Sequence, residues 1–287
     1  MKNKTKLTLS MLMISCFLIL GLSMVSADTC VGQDCSTNMT ITVGNEVPTI
    51  AYVYPEGAVT LTGGSTKVVT LEFNATDPNG VADLNDATAQ VVLSKAGETS
   101  RTSPSCSTVS SSATVRQYSC DVTMQFYDGA GSWTINATVE DQSAAEAVND
   151  TTSVTVNALD FITQDILTIT WGSVSVGQTD AEADAKMVLT NGGNQDYSDI
   201  SIKGQNATGV ANSEVITTDL FSISNLGSQT SGQTYMVDNT YTSVPALSDL
   251  NAHGAAVTQD IYFYLDVPIV QSDTYLSDSD WSILATA

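Results

Sequence analysis

Basic residues are nearly missing from this chain. Nine Lys and Arg stand against 31 Asp and Glu, there is one His, and the formal net charge is −22. A phosphate backbone needs a cluster of cations to neutralise it, so nucleic-acid binding is excluded. An anionic membrane surface would repel the chain for the same reason. Helical periodicity is equally scarce, and no long apolar run follows the first 27 residues. With a single histidine, His253 in "LNAHGAAV", a nucleophile–base–orienter set has almost nothing to be built from. Asp180, Glu182 and Asp184 in "TDAEADAK" could suggest paired carboxylates. At that spacing they read instead as a solvated strand edge that discourages edge-to-edge aggregation. No Gly-rich phosphate loop stands between a strand and a helix, and the chain is expected not to be an enzyme.

What is present begins with an export signal. Lys2, Lys4 and Lys6 precede an apolar run from Leu7 to Val25, and Val25-Ser26-Ala27 offers a small-residue cleavage site. Residues 1–27 therefore read as a secretory signal peptide. A retained anchor would need about 20 predominantly apolar residues, and this run is broken by Thr8, Ser10, Ser15 and Ser23. Cys30 lacks the small apolar neighbours of a lipoprotein site. The expected mature chain is secreted, to the extracellular space or cell surface, without membrane insertion. It carries six scattered cations: Lys67, Lys95, Arg101, Arg116, Lys186 and Lys203. So much acid suits solubility outside the cell, a saline habitat, or bridging by divalent cations.

Four cysteines remain after cleavage, Cys30, Cys35, Cys106 and Cys120. An even count in an exported chain implies disulfides, with three connectivities open. Local spacing favours Cys30–Cys35 and Cys106–Cys120, the second stapling neighbouring strands. Zinc would need His or Cys partners at tighter spacing.

Short alternating runs rich in Val, Ile, Thr and aromatics, separated by Gly, Asn, Asp and Ser, predict an all-β chain of sandwiches. In "TKVVTLEFNATD", Val69, Leu71, Phe73 and Ala75 share a face; in "GSWTINATVED", Trp133, Ile135, Ala137 and Val139 do. With Val154 and Val156 in "TTSVTVNA" these define a first sandwich over 48–158. A second, over 159–287, starts at "DFITQDILTITWGSVSVG" with Leu167, Ile169 and Trp171 on one face. It includes "VTQDIYFYLDVP", with Val257, Ile261, Phe263 and Leu265 inward, and ends at Trp281, Ile283 and Ala285. Tyr262 and Tyr264, opposite that inward face, are candidate exposed aromatics. Residues 28–47 form an N-terminal disulfide loop and a strand, because Met39, Ile41 and Val43 alternate with polar residues. That strand reads like the last strand of a domain that is otherwise missing. It is expected to fold back on the edge of its own sandwich or to add to the edge of a neighbouring molecule.

"TDPNGVADLNDA", "YDGAGSWTINATVEDQSA" and the Thr/Val-rich strand that follows resemble immunoglobulin-like, PKD-like repeats of prokaryotic, especially archaeal, cell surfaces. "WGSVSVG", "LTNGGN" and "YLSDSDWSI" are similar to another immunoglobulin-like type. The resemblance implies two tandem immunoglobulin-like β-sandwich domains. It also implies a structural or adhesive role in an envelope layer or filament, with copies of itself or other envelope proteins as partners. A module binding extracellular glycan or peptide is the alternative. The tryptophan-on-disulfide arrangement of antibody domains is not what these cysteines suggest.

The best ligand constellation is "ATDPNGVADLND". Set against a calcium loop with Gly80 at its sharp turn, Asp77, Asn79, Asp83 and Asp86 fall at the third, fifth, ninth and twelfth places. Ala75 occupies the first place, so one ligand is lost. The competing reading is a turn that Asp77 and Asn79 cap and Gly80 closes. No cofactor other than calcium is implied. Five sequons, at Asn38, Asn74, Asn136, Asn149 and Asn206, are expected on polar strand faces or near turns, open to glycosylation.

Overall fold

The computed structural model describes residues 38–55, 57–227, 232–245, 250 and 257–287. The signal segment, the Cys30–Cys35 pair and His253 lie outside the described residues. The chain divides at Gly44/Asn45 into two units. Of the first, residues 38–44 are described; they form no strand, and their side chains are exposed. Met39, Ile41 and Val43 therefore lie outside any strand. The period is that of a strand, but alternation alone does not make one without a paired edge.

The second unit opens with eight strands: β1 (Thr49–Tyr54), β2 (Thr66–Thr76), β3 (Leu84–Ser94), β4 (Arg101–Thr102), β5 (Cys106–Ser111), β6 (Val115–Gln125), β7 (Gly131–Asp141) and β8 (Glu146–Val156). They form two antiparallel sheets, β1-β2-β6-β5 and β4-β3-β7-β8. Alternation explains why. Val69, Leu71, Phe73 and Ala75 of β2 and Trp133, Ile135, Ala137 and Val139 of β7 are fully buried in one shared core. Their Thr, Asn and Glu neighbours point outward. Trp133 satisfies its indole N–H on the Gly129 carbonyl at 3.0 Å. Cys106 and Cys120 face each other across β5–β6, Cα atoms 4.2 Å apart, and are disulfide-bonded. The bridge ties edge strand β5 to the sheet and contributes about 3 kcal/mol in the chain-entropy model.

Twelve further strands follow among the described residues: β9 (Ile162–Gln164), β10 (Ala181–Glu182), β11 (Met187–Asn191), β12 (Asp199–Lys203), β13 (Ala207–Gly209), β14 (Val215–Ile216), β15 (Phe221–Ser224), β16 (Thr234–Tyr235), β17 (Tyr241–Ser243), β18 (Val257–Leu265), β19 (Tyr275–Ser277) and β20 (Ser282–Thr286). The sheet β16-β15-β18-β11-β9, joined by β10 on β18, and the sheet β17-β12-β20 contribute to a second core. Strands β14-β13-β19 form a small third sheet. Ile261, Phe263 and Leu265 are buried as expected, and Trp281 packs its ring on Phe221 and Phe263.

Two expectations fail in this half. Leu167 is 89% exposed, and residues 167–171 form no strand. Asp165 explains the break: its Oδ1 accepts the Val188 N–H at 2.7 Å, so a side chain takes a bond the ladder would have used. Trp171 still packs on the core, held by its indole N–H on the Ala181 carbonyl. Tyr264, in turn, is completely buried, and its hydroxyl donates to the Leu226 carbonyl at 2.9 Å. Burial pushes that phenol up to about 12. The chain around Leu226, which meets the Tyr264 side of β18, could not be read from β18 alone.

The two cores are coupled by the tetrapeptide Asn191-Gly192-Gly193-Asn194. The buried Asn194 uses all of its polar capacity there. Its Oδ1 accepts the Leu159 N–H (2.7 Å), its Nδ2 donates to the carbonyls of Asp128 and Asn157 (3.0 Å each), and its own N–H reaches the Leu159 carbonyl (3.0 Å). A Cβ on Gly193 would stand 2.1 Å from the Leu159 carbonyl oxygen, so only glycine allows this approach. Asp128 is held in turn by Arg101, whose Nε reaches both carboxylate oxygens at 3.0 Å. Replacing Asn194 with Ala strands three backbone groups, one buried and two partly buried, at up to roughly 1–3 kcal/mol for each left unpaired. Scanning calorimetry is expected to show one transition for the native chain and two separated transitions for Asn194→Ala. An unchanged single transition would mean that the cores are coupled elsewhere.

Candidate metal centre

At one end of the first core, the turn after β2 meets the turn after β7. Asp77 follows β2, and its Oδ1 accepts the Asn79 N–H at 2.8 Å. Gly80 closes that turn with its N–H on the Asp77 carbonyl (3.0 Å) and φ of 104°, a conformation that favours glycine. A second turn brings the Asp83 N–H onto the Gly80 carbonyl at 2.9 Å. The Gln142 N–H then donates to the Asp83 carbonyl at 2.7 Å, tying the two turns together. Asp141 ends β7, and its Oδ1 accepts the N–H groups of Ser143 and Ala145, both at 2.8 Å.

The outcome is a cluster that the sequence only half announces. One carboxylate oxygen from each of Asp77, Asp83 and Asp141 lies within 4.8 Å of the other two. Asp77 and Asp141 are buried and Asp83 is half-buried. Desolvation, then the charges of Asp77 and Asp141, raise the Asp83 carboxyl above its ordinary range. Asp141 moves the other way: the Asn45 amide bonded to its Oδ2 at 2.7 Å, with the two backbone N–H groups, outweighs burial. Asp77 and Asp83 thus meet as the spacing suggested, but Asp86 is not with them. It lies within the irregular stretch of β3 between Asn85 and Gln90, where Arg116 Nη1 (2.6 Å) and the Tyr118 hydroxyl (2.6 Å) donate to its Oδ1. Asn79 sits beside the cluster, its Oδ1 accepting the Glu46 N–H at 2.7 Å. The turn expected of Asp77 and Gly80 is present, while Asn79 gives its Oδ1 to Glu46, and the cluster is built on top of that turn.

Sequence reasoning missed Asp141 because it belongs to a different turn. One signal was available: "NAT" is followed by an Asp near the end of both β2 and β7, directly at Asp77 and after Val139 and Glu140 at Asp141.

The sequons differ in environment. Asn38 is exposed, whereas Asn74, Asn136, Asn149 and Asn206 are half-buried. The Nδ2 groups that would carry a glycan are already donating at Asn74, to the Tyr54 hydroxyl, and at Asn149, to the Ile50 carbonyl. A cleft of about 300 Å³ opens between the outer edges of β9 and β20, lined by Ile162, Gln164, Leu167, Ile283 and Ala285. Among the described residues no helix is long and apolar enough to cross a membrane. Compared with known proteins, the chain matches no family model and no characterised sequence.

Because Asp86 is a structural partner, its neighbours should report on stability. Tyr118 is fully buried against Phe73, and burial followed by the Asp86 contact raises its phenol pKa. Tyr118→Phe keeps the ring and removes one hydrogen bond to a charged group, so urea unfolding is expected to show a loss of about 1.5–3 kcal/mol. A loss under about 0.5 kcal/mol would mean that Arg116 alone holds Asp86.

Proposed function

We propose that this chain is an exported, non-enzymatic structural or adhesive protein of a prokaryotic cell surface, assembling with copies of itself into a layer or filament. Its architecture is read as two tandem immunoglobulin-like sandwiches. Lettering the first eight strands A, B, C, C′, D, E, F and G turns the sheet orders into A-B-E-D and C′-C-F-G, which supports that reading for the first half. The disulfide and the acidic surface suit life outside the cell.

One observation carries the assembly role. Met39, Ile41 and Val43 are 79%, 70% and 80% exposed, alternate with polar residues and pair with nothing in a strand. No charge occurs between Asp34 and Glu46, in a chain of net charge −22. A neutral, proline-free, β-branched segment of this kind is a liability unless a partner covers it. The partner of matching chemistry is a second copy. Its β9 and β20 each end a sheet, and the cleft between their edges is lined entirely by uncharged residues. A strand laid there would gain main-chain bonds along one edge and cover Ile162, Leu167, Ile283 and Ala285. Donor and acceptor are different surfaces, so the contact is head to tail and propagates.

A second reading, a glycan- or peptide-binding module, is favoured by Tyr52 and Tyr54. Their stacked rings are 66% and 46% exposed on β1, with centroids 6.4 Å apart.

The test uses residues 28–287 with one charge placed on either side of the contact. Ile41 and Leu167 are both exposed, so Ile41→Asp and Leu167→Asp leave both cores intact. Light scattering is expected to show polymers for the native chain and monomers for each variant. An equimolar mixture of the two variants should stop at a pair, since each supplies the half that the other lacks. Polymers formed by either variant alone would reject this contact. A native chain that stays monomeric, and binds a glycan array through Tyr52, would favour the second reading.

A further inference from the structure

We propose that Asp77, Asp83 and Asp141 form a binding site for one calcium ion, which also fixes residues 45–48 to the first core. Three acidic groups together are not a site by themselves. What distinguishes these is Asp77: it is fully buried, and its Oδ2 has no hydrogen-bond partner. A buried carboxylate oxygen is costly to leave unpaired, and unpaired ones are uncommon in folded proteins. Here it belongs to a residue whose carboxylate lies within 4.8 Å of those of Asp83 and Asp141. None of the four ion pairs among the described residues reaches the cluster; they join Lys95 to Glu98, Arg101 to Asp128, Arg116 to Asp86 and Lys186 to Asp260. Among the described residues no cation pairs with the cluster, so an external cation is free to balance its charge.

The donor set chooses the ion. All three groups offer oxygen, which suits hard cations and not zinc or copper. Magnesium demands near-ideal octahedral geometry and dehydrates reluctantly; calcium accepts six to eight oxygens in flexible arrangements, including bidentate carboxylates. The three side chains come from two turns locked to each other by the Gln142–Asp83 backbone bond, and that leaves calcium as the better fit.

The same turns hold the start of the domain. Asn45 Nδ2 donates to Asp141 Oδ2, and the Glu46 N–H donates to Asn79 Oδ1, both at 2.7 Å. Asp141 would then be ligand and anchor at once, and Asn79 adjoins the ligand Asp77. Drawing Asp77, Asp83 and Asp141 together tightens both anchors. Without the ion, mutual repulsion works against them. This inference does not depend on the assembly proposed above.

The experiment takes residues 28–287 stripped with chelator and returns calcium, with magnesium as the comparison. Calorimetric titration is expected to give one calcium per chain, with Kd on the order of 10⁻⁴–10⁻³ M as for other extracellular modules. Saturating calcium should raise Tm by about 5 °C, and hydrogen exchange of the amides of residues 45–47 should slow. Asp83→Asn should weaken calcium binding at least about tenfold, while its Tm without metal stays equal or rises because a repulsive charge is gone. Asp86→Asn should leave calcium affinity unchanged, which separates this ligand set from a simple reading of the loop sequence. No heat of binding and no shift in Tm for the native chain would overturn the proposal. So would an Asp83→Asn variant that binds as tightly as the native chain.

Discussion

One buried side chain, Asn194, makes two cores behave as one body. An asparagine can make four hydrogen bonds through its side chain and one through its N–H. Asn194 spends three side-chain bonds and its N–H on the backbone of residues 128, 157 and 159. Residues 157 and 159 belong to the connection, and residue 128 to the turn before β7. The glycines at 192 and 193 exist for the same purpose, since Phe161 and the Leu159 carbonyl occupy the space their side chains would need. Neighbouring cores in one chain are by default loosely joined. A joint without a polar atom to spare makes the pair stiff, which suits the layer or filament subunit proposed above.

Charge is organised around the same economy. Of the six cations expected in the exported chain, four make ion pairs, and Arg101 and Arg116 grip Asp128 and Asp86 on the first core. Lys203 lies over the ring of Tyr241. Apart from Asp77, Asp83 and Asp141, the remaining described acid is exposed or half-buried, where it resists nonspecific association. Against that background neutral surface is conspicuous, and it occurs where contact is proposed: along residues 38–44 and in the cleft between β9 and β20. Acid concentrated at Asp77, Asp83 and Asp141 is the opposite case, a local excess that an external cation can balance.

How much of this was legible depended on whether the information was local. Strand parity exposed the cores early, because Val69 to Ala75 and Trp133 to Val139 carry their burial in their own alternation. The Cys106–Cys120 bridge followed from spacing, since two strands joined by a short turn place those residues face to face. What could not be read was long-range. Asp141 meets Asp77 and Asp83 only once β2 and β7 lie in facing sheets. Asp86 looked like a ligand until Arg116 and Tyr118, from another strand, claimed it. Leu167 has strand parity with Trp171, yet Asp165 bonds the neighbouring strand with its side chain and ends the ladder first. Tyr264 has the parity of an outward residue, and burial by the chain around Leu226 reverses that. In Met39, Ile41 and Val43 the alternation is plain while no strand forms, which is the observation behind the assembly proposed above.

The claim on which the account rests is that residues 39–43 find their edge in a neighbouring copy. Hydrogen exchange of those amides, followed by mass spectrometry on the native chain before and after assembly, tests it directly. Unpaired amides exchange freely, whereas amides in a ladder open only with the structure that contains them. The account expects fast exchange across 39–43 in the dissociated subunit and strong protection in the assembled form. Protection should appear at the same time in the amides of β9 or β20. Fast exchange at 39–43 in assembled material would contradict it.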